Sequence, residues 1–237
     1  MNIFDVGIVL LYIMFFISGF KRGVIKELAS LIGIVVVFVL SYLLKGYIGN
    51  IFCLIFPFFK FGGSLEGITV INIIMYQVLA FILIFCILLG IYEVVLKVSK
   101  WLQKIVNMTI ILLIPSKILG GIVAMITGHI FMFIVFVVLL IPLKNQAVYY
   151  ESKLVNKIMY ETPILSNSTS KITSAVAEID ELGVAVADKT ISKNDANLRG
   201  LDIILKYNIT DKTTIERLRT AHKLDGIDGI DNVLNNY

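Results

Sequence analysis

Between Glu66 and Glu93 the chain reads GITVINIIMYQVLAFILIFCILLGIY, residues 67–92, with no charged side chain among them. A bilayer core about 30 Å thick is crossed by roughly 20 apolar residues rising about 1.5 Å each as a helix. The stretch therefore has the length and chemistry of a membrane-spanning helix, and it is far longer than the strands of ordinary sheets. A second uncharged run, residues 118–143, lies between Lys117 and Lys144. Toward the N-terminus two shorter runs follow the same logic. Residues 6–20 extend back to Ile3 across Asp5, and residues 28–44 end at Lys45, with Lys26 on the other side. Lysine stems can carry their charge out to the interface, so both runs are long enough to cross with tilt or in a thin bilayer.

The predicted fold is all-α and multi-pass, with four spanning helices near 3–20, 24–45, 67–93 and 118–142. Two more apolar stretches, 46–59 with Pro57 inside it and 105–116 with Pro115 near its end, are too short to span and are expected at the interface or as re-entrant segments. Composition agrees. With 58% hydrophobic residues, 16% charged and a mean hydropathy of +0.90, too little polar surface exists to coat a globule in water. The lipid bilayer is the expected partner.

Charge is distributed unevenly. Residues 1–142 hold nine Lys/Arg against four acids, and residues 143–237 hold twelve against thirteen. The excess cations sit in short loops between apolar runs, which is how orientation in a membrane is set, and no nucleic-acid footprint is present. Lys21, Arg22 and Lys26 follow the first span; Lys97, Lys100, Lys104 and Lys117 follow the third; the second loop has only Lys45 and Lys60. The positive-inside rule then places the N-terminus outside, loops one and three in the cytoplasm, and the tail outside. The first run lacks a preceding basic segment and is expected to remain as an anchor rather than be removed as a signal peptide.

After residue 143 the composition becomes that of a soluble segment, which divides the chain into a transmembrane part, 1–143, and a polar tail, 144–237. Ile172, Val176 and Ile179, then Leu198, Leu201 and Leu205, then Ile215 and Leu218, then Ile227, Ile230 and Leu234 recur at helical spacing. Short amphipathic helices are expected, with Thr213 and Glu216 as a capping box and Asp225 capping the last helix.

Little in the sequence carries chemistry. Cys53 and Cys86 lie in apolar segments without metal or redox spacing and are read as small buried hydrophobes. Asp225, Asp228 and Asp231 recur every third residue, but calcium loops need ligands at alternating positions and a distant glutamate. No cofactor and no metal site is expected. Charges within spans default to functional hypotheses. Asp5 is close enough to the N-terminus to act as an interfacial anchor, and Glu93, with Lys97 four residues on, ends the third span. His129 is deeper and is the one candidate for an intramembrane polar site, although no HExxH, Ser/Lys or paired aspartate accompanies it. A satisfied polar contact is its favoured reading.

Two motifs stand out. GFKRGVIKEL, residues 19–28, is a tight basic turn whose Gly19 and Gly23 allow two helices to approach closely, with Arg22 among its anchoring cations. KILGGIVAMITG, residues 117–128, places Gly120, Ala124 and Gly128 at four-residue spacing, with Gly121 beside them. This is a small-residue stripe suited to helix packing within the chain or between copies. The basic turn with Leu31-Ile32-Gly33, the Leu119-Gly120-Gly121 opening of the last span, and the Ser152-Lys153-Leu154 and Thr162-Pro163-Ile164-Leu165 segments together resemble the colicin V production protein (CvpA) family over roughly residues 1–165. The chain departs from the family pattern in having Ser116-Lys117 before the last span and Ala124 where glycine is common.

The resemblance implies a bacterial inner-membrane protein with four spans, linked to colicin V production or export and envelope physiology, without catalytic activity. Its partners would be other membrane or export proteins, or further copies of itself. A competing reading is a small channel or transporter formed by oligomerisation along the Gly120/Ala124/Gly128 face, with His129 beside a pore and Asn72, Tyr76 and Gln77 lining a polar path. An intramembrane enzyme is disfavoured for want of a nucleophile and base.

Overall fold

The structure, a computed structural model, describes residues 2–103, 113–143, 149, 151–163 and 165–237. Among them there is no strand. The helices are α1 (Ile3–Arg22), α2 (Val24–Ile55), α3 (Ile71–Gln103), α4 (Leu113–Leu143), α5 (Lys153–Glu161), α6 (Leu165–Ala187), α7 (Lys193–Lys206), α8 (Lys212–Thr220) and α9 (Ile230–Leu234), with one turn of 3-10 helix at Gly63–Leu65. Four stretches, Ile3–Arg22, Val24–Ile55, Ile71–Lys97 and Pro115–Leu139, are long and apolar enough to cross a membrane. The fold is the expected all-α multi-pass one. In hydrocarbon each backbone N–H and C=O must find its partner within the segment, and the helix supplies that.

The second helix runs further than the charge gaps predict. Rather than stopping at Lys45 and leaving 46–59 as a separate interfacial run, α2 continues to Ile55, two residues short of Pro57. One lysine does not interrupt the backbone ladder, and its ammonium lies 4.7 Å from the centre of the Tyr42 ring, a cation–π contact that offsets part of the cost of its position. Proline, which disfavours helical geometry in the residue before it, is the stronger stop. The other short run, 105–116, falls largely outside the described residues.

By contacts the chain forms two compact units, Met1–Ser41 with Phe85–Thr169, and Tyr42–Ile84 with Ser170–Tyr237. The division expected at residue 143 is one of composition and is drawn on a different basis.

In the first unit α1 and α4 make the most extensive helix pair, and α5 packs on both. Asn2 caps α1, accepting from the Phe4 N–H at 3.4 Å, while the Asp5 carboxylate accepts from the Asn2 N–H at 3.0 Å, a reciprocal capping box. Ile8, Phe133, Phe136, Val155, Ile158 and Met159 are buried between these helices.

In the second unit the tail helices pack on the end of α2, the start of α3 and the loop joining them. Ile68, Val70, Ile73, Ile74, Ile179, Leu201, Ile204, Ile215 and Leu218 form its core. Asn197 is the main polar pin: its side-chain oxygen accepts from the Thr69 N–H at 2.7 Å, and its amide donates to the carbonyls of Gly67 and Lys193, both at 2.8 Å. The Lys223 ammonium donates to the Phe56 carbonyl at 3.0 Å. The cap of α8 differs from the sequence expectation. Asp211, not Thr213, stands at its start and accepts from the Thr214 N–H at 2.7 Å, so Thr213 and Glu216 lie inside the helix. Asp225 does not cap α9 either. It faces His222 at 3.2 Å, and the helix begins at Gly229, whose φ of +89° suits glycine.

Candidate functional site: the α1–α4 seam and its histidine

The two motifs, about a hundred residues apart in the chain, meet in space. Gly19 and Gly120 face each other with nothing between them but backbone. A Cβ built on Gly120 would stand 2.6 Å from the Gly19 carbonyl oxygen, 2.7 Å from the Gly23 carbonyl carbon and 2.9 Å from the Gly23 Cα. A Cβ on Gly19 would collide with the Gly120 carbonyl and the Ala124 methyl. Gly23 turns the chain between α1 and α2 with φ +81°, and its N–H donates to the Gly19 carbonyl at 2.9 Å. Ser116, at the base of α4, accepts from the Val24 N–H at 3.4 Å. In the same turn Arg22 lies 3.4 Å from Glu27, whose carboxylate is buried while the guanidinium is largely exposed.

Further along the seam larger side chains take over. Gly121 sits against the Phe16 ring, with a Cβ there falling 2.6 Å from Phe16 Cε2, and Gly128 receives the Phe15 ring. The stripe of Gly120, Ala124 and Gly128 is therefore occupied by α1 of the same chain. The order of these contacts, Gly19 with Gly120 and Phe15 with Gly128, makes the two helices antiparallel.

The residue after Gly128 is His129. Its Nδ1 lies 2.5 Å from the Tyr12 hydroxyl, and its Nε2 lies 2.8 Å from the Thr162 hydroxyl. The Thr162 hydroxyl itself donates to the Ile158 carbonyl. Having spent its proton there, Thr162 can only accept from the ring, so Nε2 carries the hydrogen of the neutral imidazole and Nδ1 accepts from Tyr12. The result is a directed chain from Tyr12 through His129 and Thr162 to the α5 backbone, in which every ring nitrogen has a partner.

The other end of α5 is held by Asp5. One carboxylate oxygen accepts from the Ser152 hydroxyl at 2.6 Å and from the Leu154 N–H at 3.1 Å, while Ser152 caps α5 by accepting from the Val155 N–H at 3.1 Å. Asp5 is 3% exposed, which makes it a buried acceptor for a distant helix as well as a cap for its own. Between the two pins Tyr149 donates to the Phe136 carbonyl at 2.5 Å and meets the Phe4 ring edge-on, and burial pushes its phenol up. The sequence carries no local signal of this role at Asp5, and Ser152 stands out there only as part of a family motif.

Asn72, Tyr76 and Gln77 hold contacts within the second unit. The Asn72 side chain accepts from the Phe59 N–H at 2.7 Å and donates to the Phe59 and Thr69 carbonyls, Tyr76 donates to the Pro57 carbonyl at 2.5 Å, and Gln77 donates to Asn50 at 2.8 Å. All three are buried; Asn72 and Tyr76 brace the turn after α2, whereas Gln77 ties α3 to α2 and its side-chain oxygen has no hydrogen-bond partner among the described residues. Glu93 is exposed, and among the described residues no ion pair joins it to Lys97. Asp231 pairs with Arg219 at 2.5 Å, and among the described residues no group of three or more His, Cys, Asp or Glu converges as a metal site would require.

The family model described as colicin V production protein matches residues 4–163. That range begins in the first turn of α1 and ends just past Thr162, so it takes in the seam and both pins of α5. No curated protein and no solved structure matches the chain.

Proposed function

Because the chain belongs to the colicin V production protein family, we propose that it is a non-enzymatic protein of the bacterial cytoplasmic membrane that serves toxin production or export and envelope homeostasis through contacts with other membrane or export proteins. The observation that carries this reading is the joining of the two family motifs into one close-packed joint at Gly19, Gly23, Gly120 and Ser116. These residues do architectural work, and the two polar groups at the joint are engaged in it, the Ser116 hydroxyl with the Val24 N–H and the Glu27 carboxylate with Arg22. In this reading the tail lies on the outer side.

Complementation tests it. In a bacterium lacking its own family member and carrying the colicin V genes, the wild-type chain should restore the clearing zone on a sensitive lawn, and Gly120→Leu should not. A wild-type chain that inserts normally and restores nothing would remove the toxin role.

The channel reading retains one supporting observation, the hydrogen-bonded His129 at mid-span. Copies would have to assemble through a face other than the glycine stripe, which α1 covers. Solute flux in liposomes that disappears with His129→Phe would favour it, and no flux from the wild-type protein ends it.

A further inference from the structure

The placement of α5 within the first unit has a consequence for where water can go. Ser152 is held at the level of Asp5, in the first turn of α1. Thr162 is held at the level of His129 and Tyr12. Tyr12 is at the centre of α1, and His129 is close to the centre of the apolar stretch Pro115–Leu139. From Asp5 to Tyr12 the helical rise is about 10 Å. Over its nine residues α5 thus descends from one membrane surface to the region of the midplane, lying along α1 and α4.

Its composition is wrong for lipid. One face, Val155, Ile158 and Met159, is buried against the seam. The opposite face carries Lys153, Lys157 and Glu161, four residues apart and therefore in one stripe, and all three are exposed. Charged side chains near the bilayer centre are costly and as a rule face a bundle interior or a water-filled cavity. The lysine stems can snorkel to the surface. Glu161, adjacent to Thr162 at the deep end, has too short a side chain to do so.

We propose that α5 is a re-entrant helix whose Lys153/Lys157/Glu161 face, turned away from the α1–α4 seam, lines a water-filled crevice that is open on the side of the N-terminus and reaches as deep as Glu161. Water along this face solvates Glu161 where it stands and lets a helix of this polarity dip into the membrane. The inference rests on the multi-pass placement of α1 and α4 and is independent of any role in toxin production.

Cysteine labelling tests it in the full-length protein. With Cys53→Ala and Cys86→Ser as background, single cysteines at Lys153, Lys157 and Glu161 are exposed to a charged, membrane-impermeant thiol reagent in sealed vesicles of each orientation. Met14, 64% exposed at the depth of Tyr12 on α1, supplies the lipid-facing control. The expected result is complete labelling of all three α5 positions from one side only, the side of the N-terminus, with the Met14→Cys variant unlabelled. A Glu161→Cys variant as refractory as Met14→Cys would overturn the crevice, whether lipid or another protein covers that face. Labelling of Met14→Cys alongside the others would overturn it too, by placing that level outside the membrane. Far-ultraviolet circular dichroism of each purified variant checks that the helices are intact before labelling is scored.

Discussion

Replacing Gly120 by alanine adds a single methyl group where the structure has least room for it. The new carbon would meet three backbone atoms of α1 and its turn at 2.6, 2.7 and 2.9 Å, whereas ordinary contact begins near 3.4 Å. Backbone cannot rotate aside as a side chain can, so α1 and α4 must part by about 0.8 Å at this level. A gap of about 0.5–1 Å forfeits a quarter to a half of the dispersion energy of each contact it opens, and without a hydrophobic effect in lipid dispersion is much of what holds two spans together. Gly90→Ala is the control, because a Cβ there meets nothing within 4 Å. Both substitutions share the helix-propensity gain of alanine over glycine, roughly 0.5–1 kcal/mol, so their difference isolates the overpacking, expected at about 1–3 kcal/mol. Unfolding in mixed micelles, followed by helicity against the mole fraction of denaturing detergent, measures it. Equal stability of Gly120→Ala and Gly90→Ala would refute the claim that the seam is closed by backbone contact.

Other outcomes follow from the same contacts. Asp5→Ala leaves the Ser152 hydroxyl and Leu154 N–H without their acceptor at a buried site, a loss of about 1–3 kcal/mol that should appear as faster proteolysis at Lys153 and Lys157. His129→Leu should cost a similar amount by stranding the Tyr12 hydroxyl and removing the bond that Thr162 accepts, while Tyr12→Phe, which removes only the donor at one end, should cost about 1 kcal/mol; detergent unfolding ranks the two, and the reverse order would contradict the hydrogen-bond chain. Asn197→Ala removes the two bonds that join α7 to the α2–α3 loop, at Thr69 and Gly67, and should release the tail to limited proteolysis while the spans stay intact. Reporter fusions at Gly62 and at Tyr237 should report the same side of the membrane, since the tail packs on that loop; opposite sides would break the four-span arrangement.

The number of spans was legible in the sequence because hydrocarbon imposes one rule on every residue it touches, and uncharged runs such as 67–92 have no other use. Where helices end was less legible. Lys45 reads as a boundary only if charge is what stops a helix, and α2 passes through it because backbone hydrogen bonds are indifferent to a snorkelling amine. In the tail, Thr213 and Glu216 match a capping box by spacing, yet Asp211 stands two residues earlier and offers a better acceptor. At the site, glycine spacing pointed to a packing stripe but not to its occupant, since the partner, Gly19, lies in another motif. The engagement of Asp5 with Ser152 was illegible for the same reason: it joins residues far apart in the chain, and neither carries a local signal of the other.

That separation has a cost in time. Translation proceeds at about 5–20 residues per second, so Gly19 enters the bilayer roughly 5–20 s before Gly120 has been made. Throughout that interval α1 stands in lipid with its narrow glycine face unfilled, stable as a single helix but lacking the surface that will close on it. The joint is thus formed late in biogenesis between the first of the four spanning helices and the fourth, and a chain interrupted before α4 leaves α1 without a mate.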